Sequence, residues 1–387
     1  MRATVTNFFF FSGLNGFVLL PLYIQVLGGG AVEIGAVMGL YSATGILFQP
    51  VIGPWVDTLG RKPFMVTGVA LLLLSTLVAL AAGALPWLAV VRLLQGLAFS
   101  AFFVANYSYV IDLVPPDRRG WALGIYGVSG LVSTALAPLA GELIIRRLGF
   151  RPFFGLCAGL ALVAAALVAS LQESFRPAAR PVRGWAWARA GLEDLLHRHM
   201  AVTVFFGLGT GVIFTFMPTF AESLGVTTLA LFYTAYAGAA IAVRVLGGRL
   251  IDTRGRRAVI VPSMFAQMLA TGLLAVLGLS VTPASRVPVL PALFLAGLVS
   301  GGAHGFLYPG LAALVADGAP EARRGAVVGA FSAVYLVGNA GGAFAFGYIT
   351  HAVGYGFMWA LLALVLLGGA ALSCGLAEAP VGAAAPG

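Results

Sequence analysis

The ten residues G-P-W-V-D-T-L-G-R-K at 53–62 recur as G-R-L-I-D-T-R-G-R-R at 248–257, with five identical positions in register and a basic residue at the end of both. Asp57 and Asp252 are 195 residues apart, and each copy lies between two long apolar runs. A second pair of loops repeats in the same order. D-L-V-P-P-D-R-R-G occupies 112–120 and D-G-A-P-E-A-R-R-G occupies 317–325, an offset of 205. A short loop can collect Arg and Gly for topology alone, but that does not repeat two loops at nearly one offset. The chain reads as two halves of similar length with one loop plan. In a membrane chain, such internal repeats point to a transporter whose binding site lies between the repeats.

Composition makes it a membrane chain. Hydrophobic residues are 60% and charged residues 9%, with a mean hydropathy of +1.00. A soluble domain carries about 25% charged residues, so this surface is too poor in charge to face water. Apolar runs of about 20 residues match the hydrocarbon thickness. Backbone groups there must bond within the segment, which makes each span helical. The expected fold is an all-α integral membrane protein with twelve transmembrane helices. They are placed at 4–27, 32–54, 64–83, 87–113, 119–146 and 152–171, then at 200–222, 229–251, 258–279, 288–316, 325–349 and 355–377. The units are an N-terminal bundle 1–172, a linker 173–199, a C-terminal bundle 200–377 and a disordered tail 378–387. The first span reads as retained rather than as a cleaved signal, being long and without a small-residue cleavage site.

Basic residues in short loops set orientation. With the N-terminus inside, sixteen Lys and Arg fall on the cytoplasmic side and four (Arg146, Arg147, Arg151 and Arg286) on the other. The expectation is a multi-pass protein of a bacterial plasma (inner) membrane with both termini cytoplasmic. The net charge of +9 is thereby a topology signal. It does not indicate nucleic acid, because the charges are spread over several loops with no aromatic platform between them. Residues 187–198, with Trp185 and Trp187 nearby, could form a helix on the membrane surface or a plain linker. Cys157 and Cys374 fall in spans, and the four His show no ligand spacing, so neither a disulfide nor a metal site is read. No phosphate-binding loop, dinucleotide fingerprint or catalytic motif occurs, so the chain is read as a non-enzyme without cofactor. Energy for any pumping must then come from a gradient.

The loop G-x-x-x-D-x-x-G-R-[RK] between spans 2 and 3, with its degenerate copy between spans 8 and 9, resembles the signature of the major facilitator superfamily. R-L-L-Q-G at 92–96 is similar to that family's fourth-span pattern. A-P-L-A-G at 137–141 resembles its antiporter pattern G-P-x-x-G-G in part, with Ala137 and Glu142 replacing the first and last Gly. The resemblance spans essentially the whole chain. It implies two pseudo-symmetric six-helix bundles around a central cavity, rocking between inward-open and outward-open states.

The loops also suggest a conformational latch. Asp57 ends span 2, where it can accept from a neighbouring helix N-terminus. Arg61 and Lys62 can pair with Asp112, and by symmetry Asp252, Arg256 and Arg257 with Asp317. Arg119 and Arg324 of the second loop pair join the set. Gly53 and Gly248 allow close helix approach, and Gly60 and Gly255 permit the tight turn. Such pairs would hold the cytoplasmic side in the outward-facing state and break on rocking; a static topology anchor is the alternative.

Within the spans, Arg92 is the strongest candidate, because a guanidinium at that depth demands a cavity or a partner. Gln95 and Asn106 follow it on span 4; Asn15, Gln49, His304 and Asn339 are further cavity candidates. Arg244, one turn before the second loop, is assigned to structure. Span 1 has no acid, which leaves Glu33, Glu142 and Glu222 as proton carriers. The reading is a monomeric secondary transporter exporting small amphipathic or organic solutes, with proton antiport and a passive or substrate-gradient mechanism both open as its energy source. Uptake or facilitated transport of an organic anion or sugar is the alternative, and a transport-inactive receptor or scaffold is the alternative of another class.

Overall fold

The computed structural model describes residues 1–114, 119–174, 198–281, 288–317 and 324–376; within them the side chains of 54, 57, 119–125, 198, 249, 252, 316, 317 and 324–330 lie outside the description. Eleven helices among the described residues are long and apolar enough to cross a membrane. They are α1 (Arg2–Val26), α2 (Ala31–Leu59), α3 (Lys62–Ala81), α4 (Leu85–Leu113), α5 (Arg119–Leu148), α6 (Phe150–Ala169), α7 (Arg198–Ser223), α8 (Ala230–Thr253), α9 (Arg256–Ser280), α10 (Val289–Asp317) and one stretch Arg324–Ser373. Of its 50 residues, Phe331–Ser373 alone is a 43-residue apolar run, about 64 Å at the helical rise and enough for two crossings. It breaks at Gly354, whose φ is +76. Its limbs 324–353 and 355–373 are α11 and α12, giving twelve crossings that match the spans read from hydropathy.

Local chemistry explains the breaks. Pro21 has no N–H to give the Phe17 carbonyl, and α1 tightens there into a 3-10 turn over Gly16–Leu19, in which the Leu20 amide bonds that carbonyl instead. Among the described residues every one with positive φ is a glycine. These form three pairs: Gly28 with Gly225, Gly60 with Gly255, and Gly149 with Gly354. Their offsets of 197, 195 and 205 repeat those of the charged loops, so the duplication extends to connections on both faces of the membrane.

Helices α1–α6 pack among themselves, as do α7–α12. Across the halves, α2 packs on α11 and α5 on α8. Leu74, Leu77, Leu93, Leu162, Leu269, Phe357 and Leu364 stay exposed, as side chains facing lipid should. The face bearing the N-terminus and the repeated loops is called here the basic face, and the opposite one the far face. Towards the far face, one continuous apolar cluster joins both halves: Phe17, Leu20, Ile34 and Phe154 from the first, Phe216, Phe220, Leu229 and Trp359 from the second. Towards the basic face the core divides. Phe10, Val56, Met65 and Phe102 belong to one cluster, and Phe206, Ile260, Leu307 and Leu311 to another. Among the described residues the buried apolar core is continuous across the halves at the far face and divided at the basic face.

Three contacts make the far seal. A Cβ added at Gly35 would lie 2.3 Å from the Ala343 carbonyl oxygen, and one at Gly347 would lie 2.8 Å from that of Ala31. Only glycine lets the backbones of α2 and α11 approach so closely. Ser42 Oγ donates to Asn339 Oδ1 at 2.8 Å across the same seam. On the other side of the molecule, the buried carboxylate of Glu142 in α5 accepts from the Leu229 amide at 3.1 Å and the Ala230 amide at 2.7 Å, where α8 begins. Arg146, one turn on, pairs with Glu142 at 2.9 Å.

Candidate functional site: a central cavity between the halves

Division of the core at the basic face leaves a cavity of about 1310 Å³, lined by α1, α2, α4, α5, α7, α8, α10 and α11. One wall is aromatic. Phe99 and Phe103 stack at 5.1 Å between centroids, Phe103 continues to Tyr107 at 6.0 Å, and Tyr41 meets Phe99 at 5.5 Å. Opposite, Tyr236, His304 and Tyr308 form a second aromatic group, with His304 5.5 Å from Tyr236 and 6.1 Å from Tyr308. Apolar rings with a few fixed polar groups suit organic ligands.

Arg92 lines this cavity and is buried. Its Nη1 donates to Gln95 Oε1 at 2.8 Å, and its guanidinium carbon sits 4.6 Å from the Tyr41 ring centroid. Nη2 approaches the Met38 carbonyl at 3.5 Å, and Nε has no partner. All of these partners are neutral. Asn15 and Asn339 also line the cavity, Asn15 donating to Ser133 Oγ at 2.8 Å and Thr134 Oγ1 at 3.0 Å. His304 lines it too, with Nδ1 unpaired.

Other candidates sit elsewhere. Gln95 lies behind the wall, fixing Arg92. Asn106 is fully buried; its Nδ2 lies 3.4 Å from both Asn7 Oδ1 and Tyr126 Oη, so it orients two lining residues rather than lining the cavity itself. Gln49 accepts from Ser332 Oγ at 3.1 Å in the seam between α2 and α11. Each lies on a side of its helix turned away from the cavity. Of the three acids, Glu33 caps α2 through the Gly30 amide at 2.9 Å, Glu222 is exposed, and Glu142 is committed to the far seal; none lines the cavity.

Arg244 is the residue that sequence reasoning missed. It lines the cavity from α8, and its Nε is buried without a partner. An intramembrane guanidinium is a functional signal in itself; nearness to the second loop masked it. Asn7, Tyr41, Ser42, Tyr308 and Tyr335, also lining, carried no sequence signal beyond their polarity.

The loops have a different geometry from the expected latch. Arg61 Nε bonds Asp112 Oδ2 at 3.0 Å, joining α3 to α4. Glu173 accepts from the Arg61 and Lys62 amides at 3.1 and 2.9 Å, and Lys62 Nζ donates to the Ala169 carbonyl at 3.0 Å. These groups belong to the first half and, at Glu173, to the first residue of the linker, and all are paired while the cavity stands open between the halves. The Arg61–Asp112 pair therefore staples one bundle and does not by itself hold two together. Arg61 Nη1 also donates to the Val56 carbonyl at 2.6 Å, and Arg256 Nη1 to that of Ile251 at 2.8 Å, the same bond in both halves. Arg257 donates to the Cys374 carbonyl. Gly60 and Gly255 turn at φ +103 and +87. Gly53 and Gly248 do not mediate close approach here, since a Cβ on either meets nothing within 4 Å. The side chains of Asp57, Arg119, Asp252, Asp317 and Arg324, the surface helix at 187–198 up to 197, and the tail 378–387 lie outside the described residues.

A family model described as Major Facilitator Superfamily matches residues 3–290 and 199–385. The chain is 28% identical over 167 residues to the multi-drug resistance efflux pump PmrA of Streptococcus pneumoniae serotype 4, covering 42% of this chain and 41% of that protein. It is 30% identical over 158 residues to the inner membrane transport protein YajR of Escherichia coli K12, covering 40% and 34%. The chain thus spans less than half the length of these curated relatives. Among solved structures, the nucleoside transporter NupG aligns with a TM-score of 0.76 at 16% identity, covering 96% of this chain and 97% of that one. The human organic anion transporter MFSD10 aligns at 0.71 and 17%, covering 96% and 99%. At these identities the two structures show a shared fold.

Proposed function

Because the chain belongs to the Major Facilitator Superfamily, we propose that it is a secondary active transporter that exports small amphipathic organic solutes by alternating access. The observation that carries this reading is the central cavity of about 1310 Å³ between halves whose buried apolar core is continuous at one face only. Rocking about such a cavity needs a seal that can part and a mouth that can close. The aromatic walls suit amphipathic solutes, and relatives such as PmrA bear the name of multidrug efflux pumps. Arg2, Arg61, Lys62, Arg254, Arg256 and Arg257 stand at the basic face, and the loop plan of the sequence allots sixteen basic residues to that side, so we assign it and both termini to the cytoplasm of a bacterial inner membrane. The working units are the bundles 1–172 and 200–377 joined by 173–199, with 378–387 a tail. One chain supplies both walls, which supports a monomer. No acid stands among the described lining residues, and His304 is the titratable side chain there whose ordinary range suits proton exchange, so coupling rests either on a proton carried by His304 or on a counter-solute.

Reconstituted vesicles test this. Labelled aromatic carboxylates, neutral aromatics and aromatic cations are offered with and without an imposed pH gradient. Saturable flux of one class is the expected result, and its response to the pH gradient tells a proton from a counter-solute. Pore-free vesicles with no flux of any class, while the protein still captures a membrane partner, would make it a scaffold.

A further inference from the structure

The cavity holds two guanidinium groups, one on each half: Arg92 on α4 and Arg244 on α8. They differ in depth. Arg92 is seven residues from the far end of its helix and Arg244 fourteen from the far end of its own. At the helical rise this sets them about 10 Å apart along the membrane normal, with Arg244 nearer the mouth. Arg92 is held in place by Gln95, Met38 and Tyr41. Arg244 is not held in this way. Its Nε is buried and unpaired, and a Cβ on Gly127 of α5 would lie 3.2 Å from its Nη1, so the guanidinium reaches towards the opposite half. Around the same part of the cavity stand the His304 Nδ1, also buried without a partner, and the hydroxyl-bearing rings of Tyr236 and Tyr308.

Two fixed cations and no described acid make the cavity an unbalanced electrostatic environment. A guanidinium stays charged, and closing a low-dielectric cavity over an uncompensated charge is costly. A carboxylate or sulfonate supplies both the missing charge and acceptors that match the planar fork. The aromatic walls supply a surface for a ring.

We propose that Arg244, beside His304, Tyr236 and Tyr308, forms the charge-selecting subsite for an aromatic organic anion entering from the basic face. This rests on the transporter reading above and deepens it. The anion's acidic group sits on Arg244 and its ring lies along the facing aromatic side chains; Arg92 marks a second, deeper position for the same charge. Aromatic cations, the obvious cargo for a generic drug exporter, are rejected by both guanidinium groups.

The test uses the full chain in nanodiscs and tritiated naphthalene-acetate, against its neutral amide and a quaternary ammonium on the same ring. The wild type binds the carboxylate at least tenfold more tightly than the amide and does not bind the cation. Arg244→Ala weakens the carboxylate about 10- to 100-fold, the range lost when a charge-assisted bond disappears, and leaves the amide unchanged, which also reports a folded cavity. Arg244→Lys restores part of the loss. Preference for the cation, or an unchanged carboxylate affinity in Arg244→Ala with amide binding intact, overturns the proposal. The two readings fail separately. Anion binding without flux in vesicles removes transport and keeps the subsite; flux of neutral solutes with no anion preference keeps transport and removes the subsite.

Discussion

Helices α2 and α8 occupy equivalent places in the two halves, and the loop repeat aligns them residue by residue. Their charged ends behave alike: a glycine with positive φ, then an arginine returning to the carbonyl five residues before it. Their middles diverge. The offset of 195 puts Gln49 opposite Arg244. Gln49 turns into the seam and accepts from Ser332, whereas Arg244 turns into the cavity. Their far ends diverge as well. The far part of α2 interlocks with α11 by glycine contact, while α8 is caught at its first residues by the Glu142 carboxylate of α5. Duplication has preserved the frame that positions a helix and released the residues that decide what the helix does. The far seal thus has two unlike sides, one made of shape and one of hydrogen bonds.

The shape side should be the harder to breach without loss. Gly35→Leu would drive a side chain into the Ala343 carbonyl, where the first carbon alone has 2.3 Å of room. Overpacking in a core costs about 1–3 kcal/mol when neighbours can move, and a backbone carbonyl moves little, so the far-sealed state should become a minor one. The expected result is flux reduced about 100-fold and a cavity open to the far side. Met38→Cys, placed in a Cys374→Ser background, reads this: an impermeant maleimide applied at the far face should label it in the Gly35→Leu protein and not in the parent. No far-side labelling would mean that glycine contact is not what closes this seam.

The hydrogen-bonded side should yield by degrees. Glu142→Ala leaves the Leu229 and Ala230 amides buried without their acceptor, at about 1–3 kcal/mol each. Far-side labelling of Met38→Cys should rise about tenfold or more. Glu142→Gln keeps one acceptor oxygen and should fall between. Equal labelling in all three proteins would assign the seal to α2 and α11 alone and sharpen the contrast between its two sides.

Depth along the membrane was legible in the sequence; rotation about each helix axis was not. Length and hydropathy located twelve spans, because lipid forces every crossing into a helix of one length. The turn glycines and Arg61 with Asp112 were legible because loops leave few choices. Gln95, Asn106 and Gln49 were put at the cavity because spans that are apolar nearly all round offer no stripe to say which side faces inward. A polar residue then looks the same whether it lines a wall, props one up or sits in a seam. The contact of Gly35 with Ala343 joins residues from opposite halves and follows only from how the bundles meet.

The smallest effects should come from the loops, where the two halves agree. Arg61 and Arg256 each cap the helix before them, satisfying an end carbonyl and opposing the negative end of the dipole. That is worth about 0.3–1 kcal/mol, so Arg61→Ala and Arg256→Ala should each lower Tm by about 1 °C or less in a chain of this length. Arg61 also pairs with Asp112, but both side chains keep contact with solvent, at 12% and 27% exposure. A double-mutant cycle between Arg61→Ala and Asp112→Ala should therefore give a coupling below about 1 kcal/mol. Neither substitution should alter far-side labelling of Met38→Cys, because Asp112, Val56, Ala169 and Glu173, which bond Arg61 and Lys62, all precede the second half. A loop variant that opened the far face would show that the staple within one bundle is transmitted to the seam between two, and the loops would regain the role of latch.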